Sequence, residues 1–352
     1  MMDFGIGEII GLFIILLVIF ILPFLIKKIE EELEIFLFVI GIIAVTITQQ
    51  WSLGLISDAC IEPIIITIAV FIAGVVFKFL QEPLARNVNR LVNKIGLKSF
   101  IFLIIVVLGL ISSVITAIIA ALILVLVVES LNLDRKNEIK FVVLACFSIG
   151  LGAILTPIGE PLSTIVISKL KGDPYYAGFW FLFDHLWLYI LPLIIFMGIL
   201  SIKLVGVTQA ENRELREKKE EHLKGILIRT GKIYLFIMAL VFLGMGFKPL
   251  IETYISNIPY YSLYWLNTLS AVLDNATLAA AEIGPTMYLI QIEAALLGLV
   301  IAGGMLILGN IPNIIAANKL KIKSKEWAKI GVPLCLSIMI FYFCLILLTN
   351  SL

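Results

Sequence analysis

The sequence predicts an all-α membrane protein that crosses the bilayer about eight times and also enters it with two re-entrant helical hairpins. Composition predicts the membrane class, because 61% of the 352 residues are hydrophobic and only 14% are charged. Soluble domains carry about 25% charged residues. The placement of Lys and Arg between the apolar segments predicts the hairpins.

Apolar segments of membrane-spanning length follow one another along the chain. The run from Ile9 to Ile26 is an example, and it approaches the roughly 20 apolar residues that a span needs. Acidic residues and no basic residue precede it, so we expect a retained helix and not a cleaved signal peptide. The segments lie at about 6–26, 33–50, 60–79, 99–129, 139–170, 182–204, 227–248, 263–290, 292–320 and 329–349.

The longest polar stretch divides the chain into two halves. It covers 206–226, is rich in Lys, Arg and Glu, and is expected to be a solvated cytoplasmic linker. We therefore expect N-terminal scaffold helices in 1–55, a first structural unit in 56–205 and a second in 227–352.

The positive-inside rule requires two of the apolar segments to turn back inside the membrane. If each segment crossed once, the basic stretches 78–98 and 130–140 would lie on opposite sides. Hairpins at 99–129 and 263–290 place every basic loop in the cytoplasm and both termini outside. Each arm has about 13 residues, and about 20 Å of helix is too short to cross the hydrocarbon. The hairpin tips are expected at 112–116 and 273–277.

Two further segments carry Pro and Gly at membrane depth, which interrupts a helix. Segment 139–170 contains "TPIGEP", and segment 292–320 contains "GNIPN". They align 150 positions apart, and the hairpin tips align as well. The opposed pairs are Gly159 with Gly309, Glu160 with Asn310, Ser163 with Asn313, Ser113 with Asp274, and Thr116 with Thr277. The shared order of elements, combined with the topology, predicts inverted repeats.

Two acidic residues are expected at membrane depth, Asp274 in a hairpin tip and Glu160 in a broken helix. An intramembrane charge costs about 3 kcal/mol or more by insertion scales, so each is a candidate functional residue. Asp274 could instead cap the second hairpin arm, and Glu160 could serve a salt bridge or a water pocket. Asn310 and Asn313 could instead form hydrogen bonds with the backbone N–H and C=O groups that the break leaves unpaired. Interfacial snorkelling is expected for Glu129, Glu282 and Glu293.

Other functional classes lack support in the sequence. The net charge of +1 gives no sign of the strongly basic composition that is typical of nucleic-acid-binding proteins. The four cysteines are widely spaced in or beside apolar runs, and metal-ligand spacing is absent. No paired nucleophile and base is recognisable in the membrane segments, so we expect neither an enzyme nor a bound cofactor.

The two motif pairs resemble the ion transporter superfamily, which includes arsenite permeases, D-type sodium/proton antiporters, citrate carriers and divalent-anion/sodium symporters. Within it, "LDNATLAAAEIGP" followed by "GNIPNIIAANKLKI" is most similar to a family of prokaryotic membrane proteins regarded as cation transporters. The resemblance covers about residues 60–350, and it implies a homodimer. The tip "SSVIT" and the break "EPLS" depart from the symporter pattern.

The resemblance also implies where ions or substrates would bind. The hairpin-tip sites would fall on Ser113 and Thr116, and on Asp274, Asn275 and Thr277. The broken-helix sites would fall on Thr156, Gly159, Glu160 and Ser163, and on Gly309, Asn310 and Asn313. A sodium ion would be held by Asp274 and Asn310.

Together these observations predict a secondary transporter of a small inorganic cation in the plasma membrane, with sodium/proton antiport as the expected activity. A carboxylate with amide, hydroxyl and carbonyl oxygens suits Na⁺ or a proton. An anion or metalloid carrier on the same fold is the alternative, because the helix N-termini after the breaks could hold an anion. The transported ion and the lipid bilayer are the expected partners, without nucleic acid.

Overall fold

The chain forms a helical membrane protein in the computed structural model, which describes residues 6–26, 28–29, 32–131, 133–206, 223–254 and 258–350. Four helical stretches of this part are long and apolar enough to cross a membrane. They are Leu97–Ile115, Phe181–Leu204, Thr230–Leu250 and Ser324–Leu348. Residues 207–222 of the predicted linker 206–226 lie outside the described part, and the next helix already begins at Leu223.

The first half begins with α1 (Ile6–Leu25) and α2 (Leu33–Ile47) and continues with the long helix α3 (Leu53–Ile95). The helices α4 (Leu97–Ile115) and α5 (Ala117–Ser130) follow. The half ends with α6 (Arg135–Ala153), α7 (Pro161–Lys169) and α8 (Phe181–Leu204).

The second half begins with α9 (Leu223–Tyr254) and α10 (Tyr260–Leu266), which runs into a 3₁₀ helix at Asn267–Ala271. The short helix α11 (Asn275–Glu282) comes next. Helix α12 (Leu289–Gly303), a 3₁₀ turn at Ile307–Gly309, α13 (Ile311–Leu320) and α14 (Ser324–Asn350) complete the chain.

Helices α6 and α12 form the centre of the molecule. Almost every residue of α6 from Asn137 onward and most residues of α12 from Ile292 onward are buried. Helix α6 packs against α4 and α8, and α12 packs against α10 and the 3₁₀ helix that follows it. The backbones approach closely where glycines meet, since a Cβ on Gly152 would lie 1.6 Å from the carbonyl oxygen of Gly109. Small residues allow such close helix contacts in membranes.

Two predicted boundaries need correction. The expected basic loop between Arg86 and Lys98 is helical, because α3 continues to Ile95 and only Gly96 separates it from α4. The apolar positions Val88 and Ile95 continue a helical stripe there, and Val88 is buried.

The length argument for the first hairpin is also wrong for its first arm. Helix α4 has 19 residues instead of about 13 and belongs to the four candidate spans. The extension includes Ser112 and Ser113, whose hydroxyls donate to the carbonyls of Gly109 and Leu110 three residues earlier and so remain compatible with a helix. In the second predicted hairpin the arms are short, because α10 has seven residues, its 3₁₀ extension five and α11 eight.

Candidate functional site

The first break runs from Ile154 to Glu160, between α6 and α7. Ser163 of α7 reaches back to the end of α6, where its hydroxyl lies 3.1 Å from the carbonyl oxygen of Ile154 and 3.4 Å from that of Ala153. Gly159 passes so close that a Cβ there would lie 1.9 Å from the Ala153 oxygen. Pro161 occupies the first turn of α7, where a missing N–H costs nothing, and it favours extended backbone at Glu160.

The second break, from Gly304 to Asn310, is built in the same way. Asn313 of α13 donates to the carbonyl oxygens of Gly303 and Leu306, both at 2.9 Å. A Cβ on Gly309 would lie 2.5 Å from the Gly303 oxygen. Asn310 is extended, as Glu160 is, and precedes a helix with Pro in its first turn. Two of these contacts recur 150 positions apart: Ser163 with Ala153 corresponds to Asn313 with Gly303, and Gly159 with Ala153 corresponds to Gly309 with Gly303.

Thr116 and Asp274 take the same place at the two predicted hairpin tips, because each is the N-cap of the following helix. The Asp274 carboxylate accepts from the Thr277 amide at 2.9 Å and from its hydroxyl at 3.0 Å. Thr116 has a positive φ of 76° and accepts weakly from the Ile119 amide at 3.4 Å.

The predicted alignment of the tips is therefore three residues out of register. Thr116, and not Ser113, is the counterpart of Asp274. The same register pairs Ser112 with Ser270, and their hydroxyls donate at 2.9 Å to the carbonyls of Ile149 and Leu299. Identity of side chains in so apolar a sequence was too weak a signal to set the register.

The first break lies between the two tips. On one side, Thr156 donates to the Ser113 carbonyl at 2.5 Å and the Ala117 amide donates to the Gly159 carbonyl at 2.9 Å. On the other side, α7 packs against α11. Glu160 faces the second tip there, since its carboxylate interacts electrostatically with Asp274 and its polar neighbour is Asn275.

Glu160 and Asn275 are both buried at this junction, with 8% and 5% of their surfaces exposed. The Glu160 Oε1 atom and the Asn275 Nδ2 atom have no hydrogen-bond partner among the described residues. Buried polar groups without partners are rare in native proteins, so these two atoms mark a place that favours a polar ligand. Thr277, which is hydrogen-bonded to Asp274, packs against Gly244 of α9. A Cβ on Gly244 would lie 2.4 Å from the methyl group of Thr277.

The amide nitrogen of Asn310, the residue predicted to hold a sodium ion with Asp274, lies against Gly150 of α6, 2.5 Å from where a Cβ would be. The oxygen-bearing neighbours of Asp274 include Thr277 and Glu160. Gly309, Asn313 and Ser163 shape the backbone at the breaks. The Ser163 hydroxyl and the Asn313 Nδ2 atom donate to carbonyls, whereas the Asn313 Oδ1 atom is buried without a hydrogen-bond partner among the described residues.

Sequence reasoning missed several polar residues around this group. Glu62 of α3 interacts electrostatically with Asp274 of the second tip and with Asp58, which lies one helical turn earlier on the same helix; both Glu62 and Asp58 are exposed. Their spacing of four residues, next to a stretch without Lys or Arg, was a usable signal. Glu282 was expected to snorkel but is only 6% exposed, because helix α11 ends inside the protein.

A family model described as "Protein of unknown function (DUF1646)" matches residues 9–349. No curated protein matches the chain.

Proposed function

The chain belongs to the DUF1646 family, and from the geometry of its site we propose that it is a secondary transporter of a small inorganic cation. We take its activity to be sodium/proton antiport by alternating access, in the plasma membrane. The observation that carries the proposal is the meeting of Glu160, which is buried, with the part-buried Asp274, one from each half of the chain.

The proposed architecture is a pair of inverted repeats, each with a re-entrant hairpin and a broken helix. The matched contacts of Ser163 and Asn313, and of Ser112 and Ser270, support a repeated unit. A contact between a glycine and a polar residue also occurs in both halves, with the two residue types on opposite helices. Ser148 of α6 packs on Gly109, while Gly298 of α12 packs on Asn267. Inverted repeats place substrate sites where broken helices meet near the bilayer midplane.

The chemistry of the site favours a cation. Two carboxylates that lie close together in a low-dielectric environment cannot both stay charged without a counter-charge. A proton on one of them, or a sodium ion between them, supplies that counter-charge. Hydroxyl and amide groups from Thr277 and Asn275 lie beside the carboxylates, and oxygen donors are what a hard cation binds. Competition between Na⁺ and H⁺ for one group is the minimum that exchange requires.

An anion or metalloid carrier is the alternative function on the same fold. Helices α7 and α13 each begin directly after a break, and a helix N-terminus attracts anions. Glu160 and Asp274 would repel an anion at the first of these positions, so the cation is favoured.

Purified protein in liposomes with a pH-sensitive dye inside tests the proposal. D274N keeps the size of the side chain and removes its charge, so we expect sodium-driven proton movement to fall by at least about tenfold. D184N is the matched control, because Asp184 is exposed near the start of α8 and should leave exchange unchanged. Unchanged exchange in D274N would remove Asp274 from the mechanism, and transport that improves in D274N would favour the anion carrier.

A further inference from the structure

Glu282 is a buried carboxylate that the proposed exchange site does not use. It is the last residue of α11, eight positions after Asp274, which places it about 12 Å further along the helix. Neither of its carboxylate oxygens has a hydrogen-bond partner among the described residues. Its side chain is only 6% exposed.

Asn267 is the polar neighbour of Glu282. It lies in the 3₁₀ helix of the first arm and is fully buried, and its amide side chain faces the Glu282 carboxylate. The Asn267 Nδ2 atom donates to the carbonyl of Ala295 at 3.1 Å, while its Oδ1 has no partner among the described residues. Glu282 therefore has two buried oxygen atoms without a hydrogen-bond partner among the described residues, and the Oδ1 atom of its neighbour Asn267 has none either.

The charged groups on the elements packed against α11 occupy other positions. Lys169 of α7 donates to the carbonyl of Ala280, two residues before Glu282. Glu293 of α12 pairs with His185 of α8 at 3.6 Å. Lys248 lies on α9, one turn beyond the Gly244 that contacts Thr277. Asp274 and Glu160 lie at the opposite end of α11.

An ionised carboxylate without partners costs several kcal/mol when it is buried, so Glu282 must bind a positive charge or a proton. A hard metal cation such as Ca²⁺ takes about six to eight oxygen ligands, and this group offers three. A proton needs only one oxygen. We propose that Glu282, with Asn267 beside it, is a proton-binding site separate from the Asp274–Glu160 site.

The chain becomes exposed shortly after Glu282. Pro285 and Thr286, three and four residues later, are exposed in the connection to α12. The idea that this proton takes part in sodium/proton exchange rests on the function proposed above, whereas the presence of the proton does not.

Infrared spectroscopy of the purified protein in lipid nanodiscs tests the proton directly, because a protonated carboxyl group has its own C=O stretching band. E293Q is included in every variant, because the carboxyl group of Glu293 could give a band of its own. In a D274N/E160Q/E293Q background we expect such a band to persist at neutral pH. Adding E282Q should remove it, whereas adding D184N, at an exposed carboxylate, should leave it in place. E282D keeps a carboxyl group and should therefore give a band at a shifted frequency. This shift would still assign the band to position 282 if E282Q does not fold.

Either of two results would overturn the site: no such band in the D274N/E160Q/E293Q protein at neutral pH, or a band that survives when E282Q is added. A transport assay separates this inference from the proposed function. If both hold, E282Q should lower proton flux by about tenfold and leave sodium binding, measured by calorimetry, within about twofold of wild type. A wild-type protein that exchanges no cation would refute the function, while the infrared result would still decide Glu282.

Discussion

At Gly159 the chain passes so close to the end of α6 that no side chain fits. A Cβ would lie 1.9 Å from the carbonyl oxygen of Ala153, and that backbone is held by the packed helix beneath it. We expect G159A to lower the free energy of unfolding by about 1–3 kcal/mol, the usual cost of overpacking. Thermal unfolding in detergent measures this change.

Gly172 supplies the control for this substitution. Nothing lies within 4 Å of a Cβ built there, so G172A should unfold at the wild-type temperature. Equal unfolding temperatures for G159A and G172A would show that the first break is less tightly built than these contacts indicate.

Asp274 illustrates how a capping role and a binding role coexist in one residue. Its Oδ2 atom accepts both hydrogen bonds from Thr277, as a helix cap does. The same carboxylate lies within electrostatic range of Glu160 and Glu62. The cap fixes the orientation of the side chain, and the neighbouring acids make it a place for positive charge.

Arg135 joins two elements, the start of α6 and the end of α13. Its guanidinium donates to the carboxylates of Glu138 and Glu326 at 2.8 and 2.7 Å. It also donates to the last carbonyls of α13, those of Leu320 and Lys321, at 2.9 and 2.6 Å. The second broken helix is thereby anchored to the central helix of the first half.

We expect R135K to lower the free energy of unfolding by about 1–2 kcal/mol, because a lysine cannot reproduce the planar fork of donors at a half-exposed site. Chemical denaturation followed by tryptophan fluorescence measures the change. K136A is the control, since Lys136 is exposed on the next position of the same helix. If R135K and K136A unfold alike, Arg135 is not the anchor.

At the scale of elements, the positions of the two breaks were predictable, because Pro and Gly act on the backbone where they stand. The extents of α3 and α4 were not. Charged residues at 86–98 suggested a loop, yet a helix carries charges on its solvent-facing side while Val88 packs inward. The tip register also required the structure, since only the capping bonds of Thr116 and Asp274 distinguish it.

At the scale of the whole molecule, the proposed inverted topology predicts which residues lie on each side of the membrane. Single cysteines at Lys136 and Thr286, both exposed, should be labelled from the cytoplasmic and the outer side respectively. Lys136 suits this purpose better than Arg135, which is engaged in packing. A membrane-impermeant thiol reagent applied to intact cells and to everted vesicles measures accessibility.

The background protein must lack Cys60 and Cys344, which are exposed, whereas Cys146 and Cys335 are buried. Labelling of K136C from the outside would contradict a re-entrant first hairpin, and it would agree with α4 crossing the membrane as its length allows. In that case the inverted-repeat topology would have to be abandoned.

The sequence by itself determined the class of protein and the places where helices stop. Both properties are local, since hydrophobicity over about 20 residues decides membrane preference and a proline or glycine breaks the helix that contains it. Only the tertiary structure decided which polar groups meet. Glu160 lies beside Asp274 and Asn275, Asn310 lies against Gly150, and Glu282 is buried beside Asn267. Such meetings depend on how α7, α11 and α12 pack in space, and an apolar sequence does not specify the packing of its helices through periodicity alone.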